Sequence, residues 1–331
     1  MPLTAKQYLD IQEKYDKVRQ HNHAIEEYRK QEVYSAIPRI QQIDVEIAHR
    51  KVAAAKYRLM HSEPDARLSI ISEVGDLRAE KAELLRSKHF PENYLDPIYQ
   101  CNLCKDEGKI ANEKCKCFYN YVRKLYVDQS NLKDFMYTDN FDHFSKDYYS
   151  RESISPSGSS PYTAIEYALK AAHDFVDNFS LNRSQNMLIH GNTGVGKTFL
   201  SHCIGVALLE KNIPVLYLTA YQLFSAFSSY RDDREQFGEL SRQDILNTEL
   251  LIIDDLGTEL NNAYDNSRFF LCVNERLINN RSTIISSNLT MNDIRKNYSE
   301  RVASRIIDAY TVIHILGDDI RVGKKYKGFN I

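Results

Sequence analysis

The sequence predicts an α/β protein in which a parallel sheet flanked by helices follows an all-helical region and a small cysteine-based module. Three observations carry this reading. Beyond residue 162 short apolar runs alternate with helical patterns, before residue 90 apolar residues recur at helical spacing, and between the two four of the six cysteines fall within Cys101–Cys117. At ~150 residues per domain, the 331 residues suffice for about two domains and a large buried core.

Taking the elements in order, Tyr8, Ile11, Tyr15, Val18 and Ile25 recur in steps of three and four, with Asn22 filling the position between the last two. That is a heptad seam. Thr4 followed by Gln7 reads as a capping box, and Pro38 ends or breaks the helix. Ile40, Ile43, Ile47, Ala54 and Tyr57 mark a second helix, and Ser62, Glu63, Pro64 and Asp65 start a third bearing Ile70, Val74, Leu77 and Leu84. Residues 1–90 are thus expected to form a helical hairpin or small bundle, read equally as a self-associating coiled coil and as a docking arm for a partner protein.

Cys101 and Cys104, ten intervening residues including Gly108, then Cys115 and Cys117 make two close thiolate pairs across a loop. Four thiolates at this spacing favour tetrahedral Zn²⁺ with no open position, hence a structural role, with an iron–sulfur cluster and free thiols as the alternatives. The module is expected over residues 91–135. Cys203 and Cys272 sit alone in apolar helical patterns and are expected to be core residues. An aromatic stretch from Phe135 to Tyr149 and a Ser-, Pro- and Gly-rich run from Ser150 to Pro161 are read together as a linker over 136–161. Strands are expected at Asn186 to His190, Pro214 to Leu218, Leu250 to Asp254, Thr283 to Ser287 and Thr311 to Leu316.

Charge excludes some functions. With 43 basic and 45 acidic residues the formal net charge is -2, so the chain lacks the global basic field of a protein that coats nucleic acid, and any DNA contact must be local. No apolar stretch approaches the ~18 residues that span a bilayer, and charges occupy the first sixteen residues where a signal peptide would be apolar. A cytoplasmic protein without membrane partners is expected.

Gly191, Asn192, Thr193, Gly194, Val195, Gly196, Lys197 and Thr198 match G-x-x-x-x-G-K-[ST] between an apolar strand and a helix. The glycines let backbone N–H groups turn around phosphate oxygens, and the helix N-terminus adds its positive dipole end. Lys197 is expected to bridge the β and γ phosphates of ATP, and Thr198 to ligate Mg²⁺. Leu250 to Asp255 reads as a buried strand ending in two acids, a costly placement unless a cation or substrate uses them. Asp254 is expected to hold Mg²⁺ through water and Asp255 to orient and deprotonate the attacking water. Asn288, after the next strand, is placed to hold that water without opposing the phosphate charge; the alternative is a helix cap.

The phosphate loop, the strand ending Asp254, Asp255, Leu256 and Gly257, the strand ending Ser287 and Asn288, and the run from Glu300 to Arg305 together resemble the AAA+ ATPases of the bacterial replicative helicase loader family, of the DnaC and DnaI type, over about residues 95–331. The resemblance implies an AAA+ domain over 162–331, assembly into a homo-oligomer on ATP binding, a hexameric replicative helicase as partner, and weak contact with single-stranded DNA. It implies that Arg305 reaches the neighbouring subunit's ATP, with Arg301 one turn earlier on the same face, against the alternative of an intrachain ion pair to Glu300 or Asp308. Arg321 resembles the family's second sensing arginine. Tyr230, Arg231 and Arg234 are candidate DNA contacts, Phe224 and Phe227 are read as core, and Lys324, Lys325 and Lys327 as a solvated tail. The stretch from Asp96 through the cysteines to Tyr126 resembles the zinc-bearing loaders of Gram-positive bacteria and their phages. Transposition helper ATPases of the IstB type share the ATPase motifs but generally lack this module, and they are the alternative reading. Asp255 stands where many AAA+ enzymes have Glu. The shorter acid implies slow hydrolysis and keeps open a scaffold that binds ATP without turning it over.

Overall fold

The computed structural model describes residues 3, 5–60, 65–152, 158–228, 242–258 and 263–322. Thr4, the start signal at 62–64, the candidate DNA contacts Tyr230, Arg231 and Arg234, and the lysines at 324, 325 and 327 lie outside them, as do the side chains of Tyr57 and Ile70. The described residues from Ala5 onward divide into two compact units, Ala5–Phe118 and a second that starts at Tyr119.

In the first unit, α1 (Ala5–Ala36), α2 (Pro38–Met60) and α3 (Asp65–Ser87) arise from runs of Glu, Lys, Gln and Arg without interior proline. Pro38 has no N–H to extend α1, and its fixed φ suits the first position of α2. Val33, Ile37, Ile40 and Leu85 form one small core, supported by Tyr34, Phe90, Tyr94 and Leu95. Ile43, Ile47 and Leu77 form a second between α2 and α3. Ion pairs tie the same two helices, Arg39 to Glu80 at 2.8 Å and Lys81 to Asp44 at 2.6 Å. A two-stranded hairpin follows, β1 (Lys109–Ile110) with β2 (Glu113–Lys114), and leads into α4 (Lys116–Gln129).

The second unit is built on five parallel strands: β3 (Asn186–Gly191), β4 (Val215–Thr219), β5 (Leu250–Leu256), β6 (Ser282–Ser287) and β7 (Tyr310–Ile315). Their order is β4-β5-β6-β3-β7, an AAA+-like arrangement. The interleaved helices are α5 (Pro161–Asp177), α6 (Lys197–Glu210), α7 (Ala220–Ser228), α8 (Arg242–Asn247), α9 (Ala263–Ile278), α10 (Met291–Tyr298) and α11 (Glu300–Ala309). The strands read as continuous apolar runs because helices cover both faces of the sheet. Leu251, Ile253 and Ile285 face a core shared with α7, α9, α10 and α11, whereas Ile252 points the opposite way, towards Gly205 of α6. Because the strands are parallel, the ends of β3, β5 and β6 share one edge of the sheet, where ligands of such sheets bind.

Residues 133–149, expected within a module and a linker, instead form three 3₁₀ turns, Lys133–Phe135, Phe141–His143 and Lys146–Tyr148. Their aromatic side chains find partners on helices of the second unit: Phe141 stacks on His173 of α5 with centroids 4.2 Å apart, and Phe144 meets Phe199 of α6 edge-on at 5.6 Å. Ser150 accepts from Tyr162 N at 3.1 Å, so the chain is tied down again as α5 begins.

Candidate functional site

The phosphate loop runs from the end of β3 into α6. Gly194 and Gly196 have φ of +77° and +97°, a region that side chains disfavour. Neither has room for one: a Cβ on Gly194 would lie 2.1 Å from the Asp319 carboxylate, and one on Gly196 2.7 Å from the Tyr149 hydroxyl. The same neighbours hold the loop, Tyr149 Oη donating to Val195 O at 2.8 Å and Ile320 N to Gly194 O at 3.0 Å. Lys197 Nζ donates to Gly191 O at 2.9 Å and Asn192 O at 2.7 Å. With these carbonyls engaged, an anion brought to the loop meets N–H donors and the start of α6. Lys197 is buried, and burial lowers its pKa from the usual lysine range.

The acids stand opposite. Asp254 is only 2% exposed, and Thr198 Oγ1 donates to it at 2.9 Å from Oδ2 and 3.1 Å from Oδ1. Tyr217 Oη donates to Oδ2 at 2.8 Å, and the Ser286 hydroxyl makes a short bond to Oδ1. The β5 register shifts after Ile253, Asp255 has φ of +55°, and its N–H donates to Ser286 Oγ at 3.0 Å. That bulge turns Asp255 towards the cavity, where burial first and Asp254 second raise its carboxyl above the ordinary range, with Lys197 opposing.

A cavity of about 420 Å³ joins these groups. Thr193, Gly194, Gly196, Lys197, Thr198, Asp255, Asn288 and Arg321 line it, so most of the predicted residues converge on one space. Arg321 is held there by Asp319, with bonds of 2.9 and 2.8 Å. Arg301 and Arg305 do not line it. Arg301 is exposed on α11, while Arg305 Nε donates to Asn274 Oδ1 at 2.7 Å and its guanidinium lies 4.5 Å from the Phe270 ring centre. The acid Glu300, considered as an intrachain partner of Arg305, pairs with Arg295 at 2.8 Å.

The remaining wall comes from residues that no motif contains. His143, Phe144, Tyr148 and Tyr149 approach from the 3₁₀ segment, Phe199 from α6 and Ile320 from beyond β7. Phe144 and Tyr149 stack with rings 7° from parallel. The density of aromatics between Phe135 and Tyr149 was the available signal, since a solvated linker has no use for it.

The four cysteines of the first unit also converge. Their sulfurs all lie within 4.8 Å of one another, with Cys101 to Cys115 at 3.8 Å and Cys104 to Cys117 at 3.4 Å. Tetrahedral zinc with ~2.3 Å bonds to sulfur requires separations of about 3.8 Å. Gly108 N–H donates to Cys104 Sγ at 3.3 Å, and the Cys104 backbone N–H lowers the Cys101 thiol to about 7. Burial instead pushes Cys117 up to about 12, so a cation is what would hold it as a thiolate. The donor set fits a tetrahedral metal.

The seam of α1, read as a self-associating coiled coil or a docking arm, meets this cluster within its own unit. Ile11 and Tyr15 are buried, and Tyr15 Oη lies 3.0 Å from Cys117 Sγ. Asn22 Nδ2 donates to Asp106 Oδ2 at 3.1 Å, Lys114 sits over the Tyr8 ring at 4.7 Å, and a Cβ on Gly108 would strike the Tyr15 ring at 2.6 Å. Tyr8, Tyr15 and Asn22 of the stripe thus meet the cysteine module; a helix stripe looks alike whichever surface covers it. Cys203, Cys272, Phe224 and Phe227 are buried in the core, as expected. Among the described residues no helix is long and apolar enough to cross a membrane.

Residues 169–328 match the family of IstB-like ATP-binding proteins. Among solved structures, the DnaC helicase loader is 23% identical with a TM-score of 0.45, the match covering 55% of this chain and 99% of that one. DnaI is 24% identical at a TM-score of 0.40, covering 47% and 84%. AMPPCP-bound DnaA from Aquifex aeolicus is 19% identical at 0.42, covering 59% and 56%.

Proposed function

We propose that this protein is a slow, Mg²⁺-dependent AAA+ ATPase that delivers a hexameric replicative helicase onto single-stranded DNA, a reading supported by the match of residues 169–328 to the family of IstB-like ATP-binding proteins. The observation that carries the ATPase reading is the meeting of Thr198 with Asp254 beside Lys197, at the mouth of a cavity large enough for a nucleotide. The loop N–H groups and Lys197 bind the phosphates, and the aromatic wall of Phe144, Tyr148 and Tyr149 takes the base. Thr198 and, through water, Asp254 would hold Mg²⁺, which would supply countercharge to the phosphates. Asp255 accepts the proton of the attacking water while Asn288 orients it. Arg305, which lies outside its own cavity, serves the ATP of a neighbouring copy.

The loader reading rests on the cysteine module, which we take to hold structural zinc. A transposition helper of the IstB type has the same ATPase motifs but generally lacks such a module. Zinc, α1 and the hairpin of β1 and β2 then form one platform for the helicase. ATP turnover measured with and without single-stranded DNA, alongside capture of purified replicative helicase by the full chain, tests the proposal. Turnover with helicase capture is expected; ATP binding without turnover favours a scaffold, and capture of a transposase instead of a helicase favours the helper.

A further inference from the structure

Tyr217 belongs to none of the nucleotide motifs, yet its hydroxyl donates to the carboxylate that pairs with Thr198. We propose that Tyr217 is a positioning residue for Asp254, setting how firmly the site holds its divalent cation. The proposal deepens the ATPase reading and rests on it.

Asp254 is a buried acid whose hydrogen bonds come from three hydroxyls, Thr198, Ser286 and Tyr217. An ionised carboxylate only accepts, so each hydroxyl spends its one proton on it. Thr198 therefore turns its lone pairs away from Asp254, as a cation ligand must. Ser286 secures Oδ1 and Tyr217 secures Oδ2, which together fix the rotation of the carboxylate plane. Without the Tyr217 hydroxyl, the bond to Oδ2 is left to Thr198 alone.

Tyr217 is itself clamped from three sides. Its N–H donates to Ser130 O at 2.9 Å, its carbonyl accepts from Asn131 Nδ2 at 3.0 Å, and its ring stands edge-on to His202 at 4.8 Å. His202 is buried, with Nδ1 2.8 Å from Asp139 Oδ2, and Asp139 lines the nucleotide cavity. The hydroxyl is thus aimed at Asp254 by residues 130–139, which precede the phosphate loop by more than fifty positions. Such outer contacts are worth 10- to 100-fold in metal affinity where they have been removed.

The test uses full-length protein and a fluorescent ATP analogue, titrated over Mg²⁺ concentration and again in EDTA. For Tyr217→Phe, which keeps the ring and its contact with His202, the Mg²⁺ concentration giving half-maximal enhancement of nucleotide binding should rise about tenfold. Affinity in EDTA should stay within about twofold, since Asp254 acts on the cation. The exposed Tyr221→Phe serves as the neutral comparison. An unchanged Mg²⁺ midpoint overturns the proposal, as does an equal loss with and without Mg²⁺, which would mark a merely structural tyrosine. Parent protein whose nucleotide binding ignores Mg²⁺ overturns the ATPase reading, and the proposal with it.

Discussion

The Tyr149 hydroxyl stands 2.7 Å from the point that a Cβ on Gly196 would occupy, so one side chain both demands the glycine and braces the loop through Val195 O. The 3₁₀ segment is therefore part of the candidate nucleotide site. Gly196→Ala must move Tyr149 and adopt a φ of +97°, and nucleotide affinity should fall at least tenfold. Tyr149→Phe loses one hydrogen bond of about 1 kcal/mol and should weaken binding roughly fivefold. Titration of a fluorescent ATP analogue checks both, and parent-like affinity in Gly196→Ala would mean that the loop does not cradle the phosphates.

Lys197→Ala should abolish tight ATP binding, because the triphosphate then loses its main countercharge besides Mg²⁺. Asp255→Asn should retain binding and lose turnover. The pH profile adds a sign: as the proposed base Asp255 would act only when ionised, and its carboxyl is raised above the ordinary range by burial and by Asp254. The parent rate should therefore fall on acidification at a higher pH than an exposed aspartate would give, and rise to a plateau above it. An asparagine variant with the parent rate removes Asp255 from the role of base.

How far the sequence carried the fold follows from where its information is local. The strands were legible because β5, Leu250 to Asp254 and beyond, is apolar on both faces, and the phosphate loop because glycine, lysine and threonine at fixed spacing serve one chemistry. Tyr217, Phe144 and Tyr149 were not, since each acts through a contact more than thirty residues away along the chain. The heptad seam of α1 was legible as a stripe, but periodicity reports that a face is covered and is silent about what covers it. Its partner is a knuckle 102 residues later, joined at Tyr15 and Cys117.

Arg305 touches Asn274 and Phe270 and lies outside the cavity of its own chain. If it serves a neighbour's ATP, Arg305→Ala should bind nucleotide as the parent does and fail to hydrolyse it. Mixed with Lys197→Ala it should regain part of the activity, because one copy then offers an intact pocket and the other an intact arginine. Failure of every ratio, with assembly intact by sedimentation, would assign Arg305 to the α9–α11 contact alone.

The last prediction concerns the metal and α1 together. Zinc should copurify at about one ion per chain, and a chelator should unfold the cysteine module, since structural zinc supplies on the order of 10 kcal/mol to so small a unit. Nucleotide binding, which lies in the other unit, should survive. Because Ile11 is buried and Tyr15, one turn on, is buried beside the cysteine loop, substitutions along this seam should act first on the metal. Ile11→Asp places a charge at a position 0% exposed and should lower zinc retention sharply in competition with a metallochromic chelator. Tyr15→Phe keeps the ring that fills the space at Gly108 and loses only the hydroxyl beside Cys117 Sγ, so zinc affinity should fall about tenfold with the fold intact. Proteolysis of the stripped protein should then cut within the first half of α1, which the metal no longer holds. An Ile11→Asp protein that keeps its zinc at parent affinity would mean that the seam is separable from the module, and would return it to the role of a docking face.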